Sequence, residues 1–331
     1  MTPGRVRQVR VATLALCLCA GVAVAWWWTS RVTLHENLLA NVPASALGVV
    51  HVRWPELRAS RLWQDVVVAR DGDRALRALE ADCGFDWSAD LVTVTAFAHT
   101  SPQQGEMLAE HVAFILTGPL QLERMVACTP PSTGELEAHD IDGVPAFAAG
   151  QYNAAVLDDG ALLVGHVDAL RAVIRTIKGE EQSLADLPAL RAAFGLVSHE
   201  RHLSAAFQLD VRWQHAFETM LEDQGVAQER APEFVVAGAR VTRGLTVGTV
   251  ANFESTSDAQ ALETRLGMLR DEWAGQFAVA LSPLGPALRS VVMETEGTNL
   301  QIAFDLDARR IDELIGLLDE QAPERLRPRD D

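Results

Sequence analysis

The sequence predicts an α+β fold in which an N-terminal transmembrane helix precedes two similar halves, each a mainly antiparallel sheet covered by helices. Three observations lead to this prediction. A charge-free apolar stretch occupies residues 11–28. Asp-Gly dipeptides separate short apolar runs, which is the strongest local signal for β-hairpins. Amphipathic helices alternate with these hairpins in an order that occurs twice, and this mixture is typical of antiparallel sheets with helices packed on them.

Composition sets the class of protein and excludes one class of partner. The chain has 331 residues, of which 48% are hydrophobic and 22% charged, as in folded globular proteins. Its net charge of −17 repels nucleic acid, so we predict no nucleic-acid partner. Lys178 is the only lysine and all other basic side chains are arginines. This preference indicates a GC-rich, bacterial gene.

The N-terminus predicts export. Arg5, Arg7 and Arg10 precede a stretch of 18 residues without charge, close to the lower limit of about 17–25 residues for a spanning helix. Because positive charges stay on the cytoplasmic side, the rest of the chain should be translocated. We therefore predict a single-pass protein of the bacterial inner membrane, with its ectodomain in the periplasm.

Whether this segment is retained or removed is left open by two competing signals. Ala23-Val24-Ala25 fits the small-x-small pattern at which signal peptidase cleaves. Trp26, Trp27 and Trp28 form an aromatic block where a membrane-interface belt is expected, and they favour an uncleaved signal anchor.

The exported part divides by composition into a connector, two repeats and a tail. The domain boundaries that we predict are a cytoplasmic stub and anchor at 1–30, a polar connector at 31–44, a first α+β repeat at 45–180, a second α+β repeat at 181–321 and a disordered tail at 322–331.

In the first repeat, residues 46–52 are small or β-branched and predict a strand. Trp54-Pro55 then opens a helical region that extends to Cys83, since proline suits the first helical turn. The remaining predicted elements are strands at 91–98 and 111–116, a short helix ending near Cys128, hairpins formed by 136–141 with 144–148 and by 154–157 with 161–164, and a helix at 168–177.

The second repeat presents a similar order of elements. Its predicted first strand, 205–211, runs into Val211-Arg212-Trp213, which we align with Val52-Arg53-Trp54 of the first repeat. The other predicted elements are a helix at 187–196 before that strand, a helix after it to residue 222, strands at 234–240 and 245–252, a helix opened by Ser257, strands at 290–294 and 300–304, and a final amphipathic helix that includes Ile311.

No catalytic motif is present, so we predict no catalytic residues, cofactor or metal site. His199 and His202 are close in sequence, but a zinc site needs at least a third protein ligand. The expected function is that of a non-enzymatic envelope protein whose ectodomain binds an unidentified envelope protein or ligand. Two alternatives stay open: an exported hydrolase-type enzyme with a dispersed site, and a transport-associated protein with a ligand groove between the halves.

The layout also resembles a known type of protein. An N-terminal anchor, the entry Val42-Pro43-Ala44-Ser45-Ala46 and a first strand leading into Trp54-Pro55 are similar to uncharacterised membrane-anchored exported proteins of GC-rich bacteria, which are built from repeated α+β units. The resemblance rests on layout and covers most of the ectodomain. It implies the α+β repeats and the membrane anchor, and it implies no activity.

A disulfide between Cys83 and Cys128 is the most specific prediction from the sequence. These are the only cysteines after the apolar segment, and exported compartments oxidise paired thiols. Closing a loop of roughly 45 residues would stabilise the fold by about 4 kcal/mol in the chain-entropy model. Thiol titration of the denatured, unreduced ectodomain should find no free thiol. Two titratable thiols per chain would contradict the prediction.

Overall fold

The computed structural model describes residues 32–68, 74, 77, 80–81, 90–99, 112–120, 137–150, 152–198, 201–223, 230–276 and 284–321. The predicted membrane anchor with Trp26, Trp27 and Trp28, the predicted tail, and Cys83 and Cys128 lie outside these residues. Within the described ranges, none of the helices combines the length and the apolar character that a bilayer crossing requires.

The described strands form one antiparallel sheet of twelve, in the spatial order β11-β12-β10-β9-β8-β1-β2-β3-β7-β6-β5-β4. Their bounds are β1 Ala46–Arg53, β2 Thr93–His99, β3 Val112–Thr117, β4 Glu137–Ile141, β5 Val144–Ala149, β6 Tyr152–Val156, β7 Leu162–Gly165, β8 Leu203–Gln208, β9 Phe234–Val241, β10 Leu245–Asn252, β11 Val292–Glu296 and β12 Asn299–Leu306.

The prediction of a separate sheet in each half is corrected by the pairing of β1 with β8. The two strands run antiparallel, with Gly48 opposite Phe207 and Val52 opposite Leu203. The two halves therefore share one continuous sheet. The physical reason is that a strand at a sheet edge leaves unpaired N–H and C=O groups. Pairing the first strand of one half with that of the other satisfies both edges at once.

Helices lie on both faces of the sheet. The described helices are α1 Trp54–Arg58, α2 Val167–Ile177, α3 Pro188–Ser198, α4 Val211–Asp223, α5 Thr256–Gly275, α6 Leu284–Arg289 and α7 Ala308–Gln321, with a π-helical turn at Trp63–Val67 and 3₁₀ turns at Leu38–Asn41 and Leu184–Asp186. Helices α2 and α3 pack on one face, which we call the α2–α3 face. Helices α4 and α5 pack on the other, the α4–α5 face.

The main core lies under α2 and α3. Leu170, Val173 and Ile174 of α2 are fully buried against strand residues such as Val49 and Leu163. Val173 and Ile174 follow Leu170 by three and four positions, which places them on the same side of α2 and confirms the amphipathic pattern read from the sequence. Each such side chain contributes roughly 1.5–3 kcal/mol when it is transferred from water to the core.

Residues 32–44, which we expected to be a polar connector, instead belong to this core. Val32, Leu39 and Val42 are buried in it. The segment is also held by Asp158 and Asp159, whose carboxylates accept hydrogen bonds from backbone N–H groups of residues 32 and 34, at 2.7 and 2.9 Å. The segment differs from a polar connector because it carries apolar side chains between its polar ones, and these side chains are buried in the core.

The two halves share a strand order. The first half runs β1-β2-β3-β7-β6 across the sheet and the second runs β8-β9-β10-β12-β11, while hairpin β4–β5 is extra in the first. This order is compatible with duplication, which stays a prediction.

The alignment of the two Val-Arg-Trp triplets is wrong, because Val52 lies within β1 whereas Val211 begins α4. The carboxylate of Asp210 explains the early strand end, since it accepts hydrogen bonds from the N–H groups of Arg212 and Trp213, both at 3.0 Å.

Two paired glycines offer a matched test of how closely α3 approaches the sheet. Gly238 and Gly248 are direct partners in β9 and β10. A Cβ on Gly238 would lie 1.9 Å from the carbonyl oxygen of Val197, whereas a Cβ on Gly248 would have no neighbour closer than 3.6 Å. In urea unfolding, Gly238→Ala should therefore lower the free energy of unfolding by about 1–3 kcal/mol. Gly248→Ala should leave it unchanged or raise it by up to about 1 kcal/mol. Equal effects would contradict the described packing of α3.

Candidate functional site

Two concave regions lie back to back at the centre of the sheet, on strands β8, β1, β2 and β3. Successive side chains of a strand point to opposite faces, so each strand contributes to both regions. In β1, Gly48 and Val50 border the region on the α4–α5 face, while His51 and Arg53 border that on the α2–α3 face. The junction of the two halves is therefore the candidate site.

The region on the α4–α5 face, which we call the apolar groove, has a volume of about 520 Å³. Its floor is made of small side chains on β1 and β2: Gly48, Val50, Ala96 and Ala98. Its wall is aromatic and comprises Phe207 of β8 with Trp213 and Phe217 of α4.

The aromatic wall is half-exposed. Phe207 retains 43% of its accessible surface and Trp213 retains 49%. Phe207 lies across Gly48, since a Cβ on that glycine would be 2.4 Å from Cδ1 of the ring. Large apolar side chains that remain exposed in a concave surface are typical of binding sites.

Among the described residues, no charged side chain lines the apolar groove. Its one polar side chain is Gln208, and that amide is already engaged. Its Nε2 donates hydrogen bonds to the carbonyl oxygens of Ala44 and Ala46, at 2.8 and 2.9 Å. The surface that the groove offers a ligand is therefore almost wholly apolar.

The region on the α2–α3 face, which we call the basic pocket, has a volume of about 600 Å³. Arginines from three parts of the chain line it: Arg53 at the end of β1, Arg191 on α3 and Arg201 just before β8. Phe194 of α3 and Ile115 of β3 add apolar surface.

Hydroxyl groups and a histidine form the floor of the basic pocket. Nδ1 of His51 and Oγ1 of Thr95 are joined by a hydrogen bond of 2.9 Å, and Thr95 is buried. The hydroxyls of Thr93 and Thr117 are 2.6 Å apart. Burial, with the positive charge of Arg53 as a smaller cause, lowers the pKa of His51 below its ordinary value of 6.5. His51 is thus a neutral hydrogen-bonding group near neutral pH.

The residues that the sequence singled out cannot be placed relative to these regions. Cys83, Cys128, Trp26, Trp27 and Trp28 lie outside the described residues, and no cluster of three or more potential metal ligands occurs within the described part of the chain. Sequence reasoning missed His51 and the arginines. The available signal was polar residues at alternate positions of a strand, as in His51 and Arg53 or Thr93 and Thr95.

Comparisons with known proteins leave the function to be argued from these two regions. No protein-family model matches the chain, and no curated protein matches it. Among solved structures the chain is similar to TP0453. Crystal form I has a TM-score of 0.45 and 8% identity, covering 86% of this chain and 98% of that one. Crystal form III has a TM-score of 0.47 and 7% identity, covering 86% of this chain and 100% of that one. Crystal form IV has a TM-score of 0.46 and 9% identity, covering 84% of this chain and 95% of that one. At these TM-scores the similarity carries no argument about function.

The lowered pKa of His51 predicts a specific pH dependence of stability. The unfolded chain binds a proton at this histidine near pH 6.5, while the folded chain binds it only at lower pH. The contribution of His51 is therefore fully present above about pH 6.5 and is lost as the pH falls toward the folded-state pKa. In urea unfolding over a pH series, His51→Gln should reduce the loss of stability below about pH 6.5. His139→Gln, at an exposed position of β4, should not. Identical pH profiles for the parent and His51→Gln would contradict the assignment.

Proposed function

We propose that this chain is a non-enzymatic envelope protein whose ectodomain binds an elongated apolar ligand in the apolar groove. The observation that carries the proposal is the groove itself, a concavity of about 520 Å³ with an apolar floor and an aromatic wall. Its volume lies within the range of about 300–1,000 Å³ that is typical of small-molecule sites.

The position of the groove favours a ligand over a broad protein interface. Its floor belongs to β1 and β2 of the first half, and its wall to β8 and α4 of the second. A cleft between two halves encloses a ligand from both sides, whereas protein interfaces are generally flatter patches. This arrangement supports the alternative read from the sequence in which a ligand groove lies between the halves.

The lining chemistry narrows the ligand class to a hydrocarbon chain. The groove crosses strands β8, β1, β2 and β3, and at about 4.8 Å between neighbouring strands it spans roughly 14 Å. Because no charged side chain of the described residues lines it, a polar end of the ligand would remain in water. Each ~100 Å² of apolar surface removed from water would contribute about 2.5 kcal/mol.

Envelope placement is part of the proposal and is supported by the N-terminal sequence. Arg5, Arg7 and Arg10 precede the apolar stretch, and Trp26, Trp27 and Trp28 end it. A protein tethered there would present the groove to apolar molecules in the periplasm, in agreement with a transport-associated role.

Filling the groove should block binding of an apolar probe. We expect the chain from residue 32 onward, once cooperative unfolding confirms that it folds, to bind N-phenyl-1-naphthylamine saturably and to release it when palmitate is added. Ala98→Leu places extra carbon atoms on the floor and should weaken the probe about tenfold, or ~1.4 kcal/mol.

The matched control is Ala303→Leu, the same change at an exposed position of β12 outside the groove. It should bind the probe as the parent does. Absence of saturable binding in the parent, or equal affinities of Ala98→Leu and Ala303→Leu, would overturn the proposal.

A further inference from the structure

We propose that the basic pocket is a second, independent site that binds a small organic oxyanion, a carboxylate or a phosphate ester. It lies on the α2–α3 face, so the full thickness of the sheet separates it from the apolar groove. The proposal does not rest on the proposed function, because the lining residues, the ligand charge and the face of the sheet all differ.

The first support is an excess of positive charge in a strongly acidic protein. The chain carries 45 acidic and 28 basic side chains, yet three arginines and one carboxylate, that of Glu36, line this pocket. Glu36 lies in the exposed segment that borders the pocket. The local charge therefore has the opposite sign to the net charge, which favours an anionic ligand.

The second support is that these arginines form no close ion pair with a described carboxylate, although the charge of Arg191 acts at longer range on Asp186. Arg171, Arg175 and Arg270, among others, lie within 4.0 Å of a carboxylate. Within the described part of the chain, none of the three pocket arginines forms such an ion pair. Guanidinium groups present planar, paired N–H donors that match carboxylate and phosphate oxygens.

The third support is a set of neutral hydroxyls beside the arginines. Ser204 of β8 is 5% exposed and lines the pocket, and its hydroxyl has no hydrogen-bond partner among the described residues. A ligand oxygen could accept a hydrogen bond from this hydroxyl. The hydroxyl pair of Thr93 and Thr117 lines the same pocket.

Size and apolar lining favour an organic anion over an inorganic one. The pocket volume of about 600 Å³ is in the range of small-molecule sites. Phe194 and Ile115 would contact the carbon skeleton while the arginines hold the oxyanion. The expected ligand thus has a compact apolar body and one acidic group.

The test compares three probes with the same aromatic body on the full chain in an uncharged detergent. Isothermal titration calorimetry should detect binding of 1-naphthyl phosphate or 1-naphthoate that weakens with added salt. 1-Naphthol, which lacks the negative charge, should bind at least tenfold more weakly to this site. The phosphate and carboxylate probes distinguish the two sources of the oxyanion, and either one satisfies the proposal.

Two variants that remove the same charge locate the site. Arg191→Gln removes a pocket arginine from the exposed side of α3 and should weaken the anionic probe about tenfold or more. Arg240→Gln removes an exposed arginine of β9 that does not line the pocket, and should change the affinity less than about twofold.

Equal losses in the two variants, or equal affinities for 1-naphthol and both anionic probes, would overturn the anion site. Ala98→Leu, the variant that fills the apolar groove, tests whether the two sites are independent. It should leave binding of the anionic probe unchanged even if the apolar groove proves to bind nothing, so the two proposals fail separately.

Discussion

The pairing of β1 with β8 is the contact on which the rest of this architecture depends. It places the first strands of the two halves side by side and converts two possible sheets into one. Both concave regions lie across this pair, and both draw lining residues from each half. Separating β1 from β8 would therefore open two strand edges and dismantle both regions together.

The alternation of side chains along a strand lets one short segment of sheet support two different chemistries. Within β1, Val50 borders an apolar surface and its neighbour His51 borders a basic one. The same division separates Ala96 from Thr95 in β2 and Phe207 from Ser204 in β8. A shift of one residue in register would exchange these surfaces, so the register of the strands decides which chemistry each face presents.

The sequence predicts local structure here far better than long-range structure. The turn at Asp142-Gly143 and the apolar spacing of α2 depend on neighbours in the chain, and the predicted elements closely match the observed ones. The joining of the halves brings together residues such as Val50 and Ala205, and no local pattern specifies that contact. The candidate site was missed for the same reason. His51, Arg191 and Arg201 come from three separate parts of the chain, and only the folded sheet and α3 bring them to one pocket.

The attachment of residues 32–44 to the core has a mechanical consequence. Tension applied to the chain at Val32 would not extend a flexible linker. The backbone there is held by the carboxylates of Asp158 and Asp159, at the turn between β6 and β7. His35 adds a hydrogen bond of 3.1 Å to the carbonyl oxygen of Ile177, at the end of α2. The load passes directly into the main core, so a pull at Val32 would orient the whole domain, and the openings of the apolar groove and the basic pocket with it.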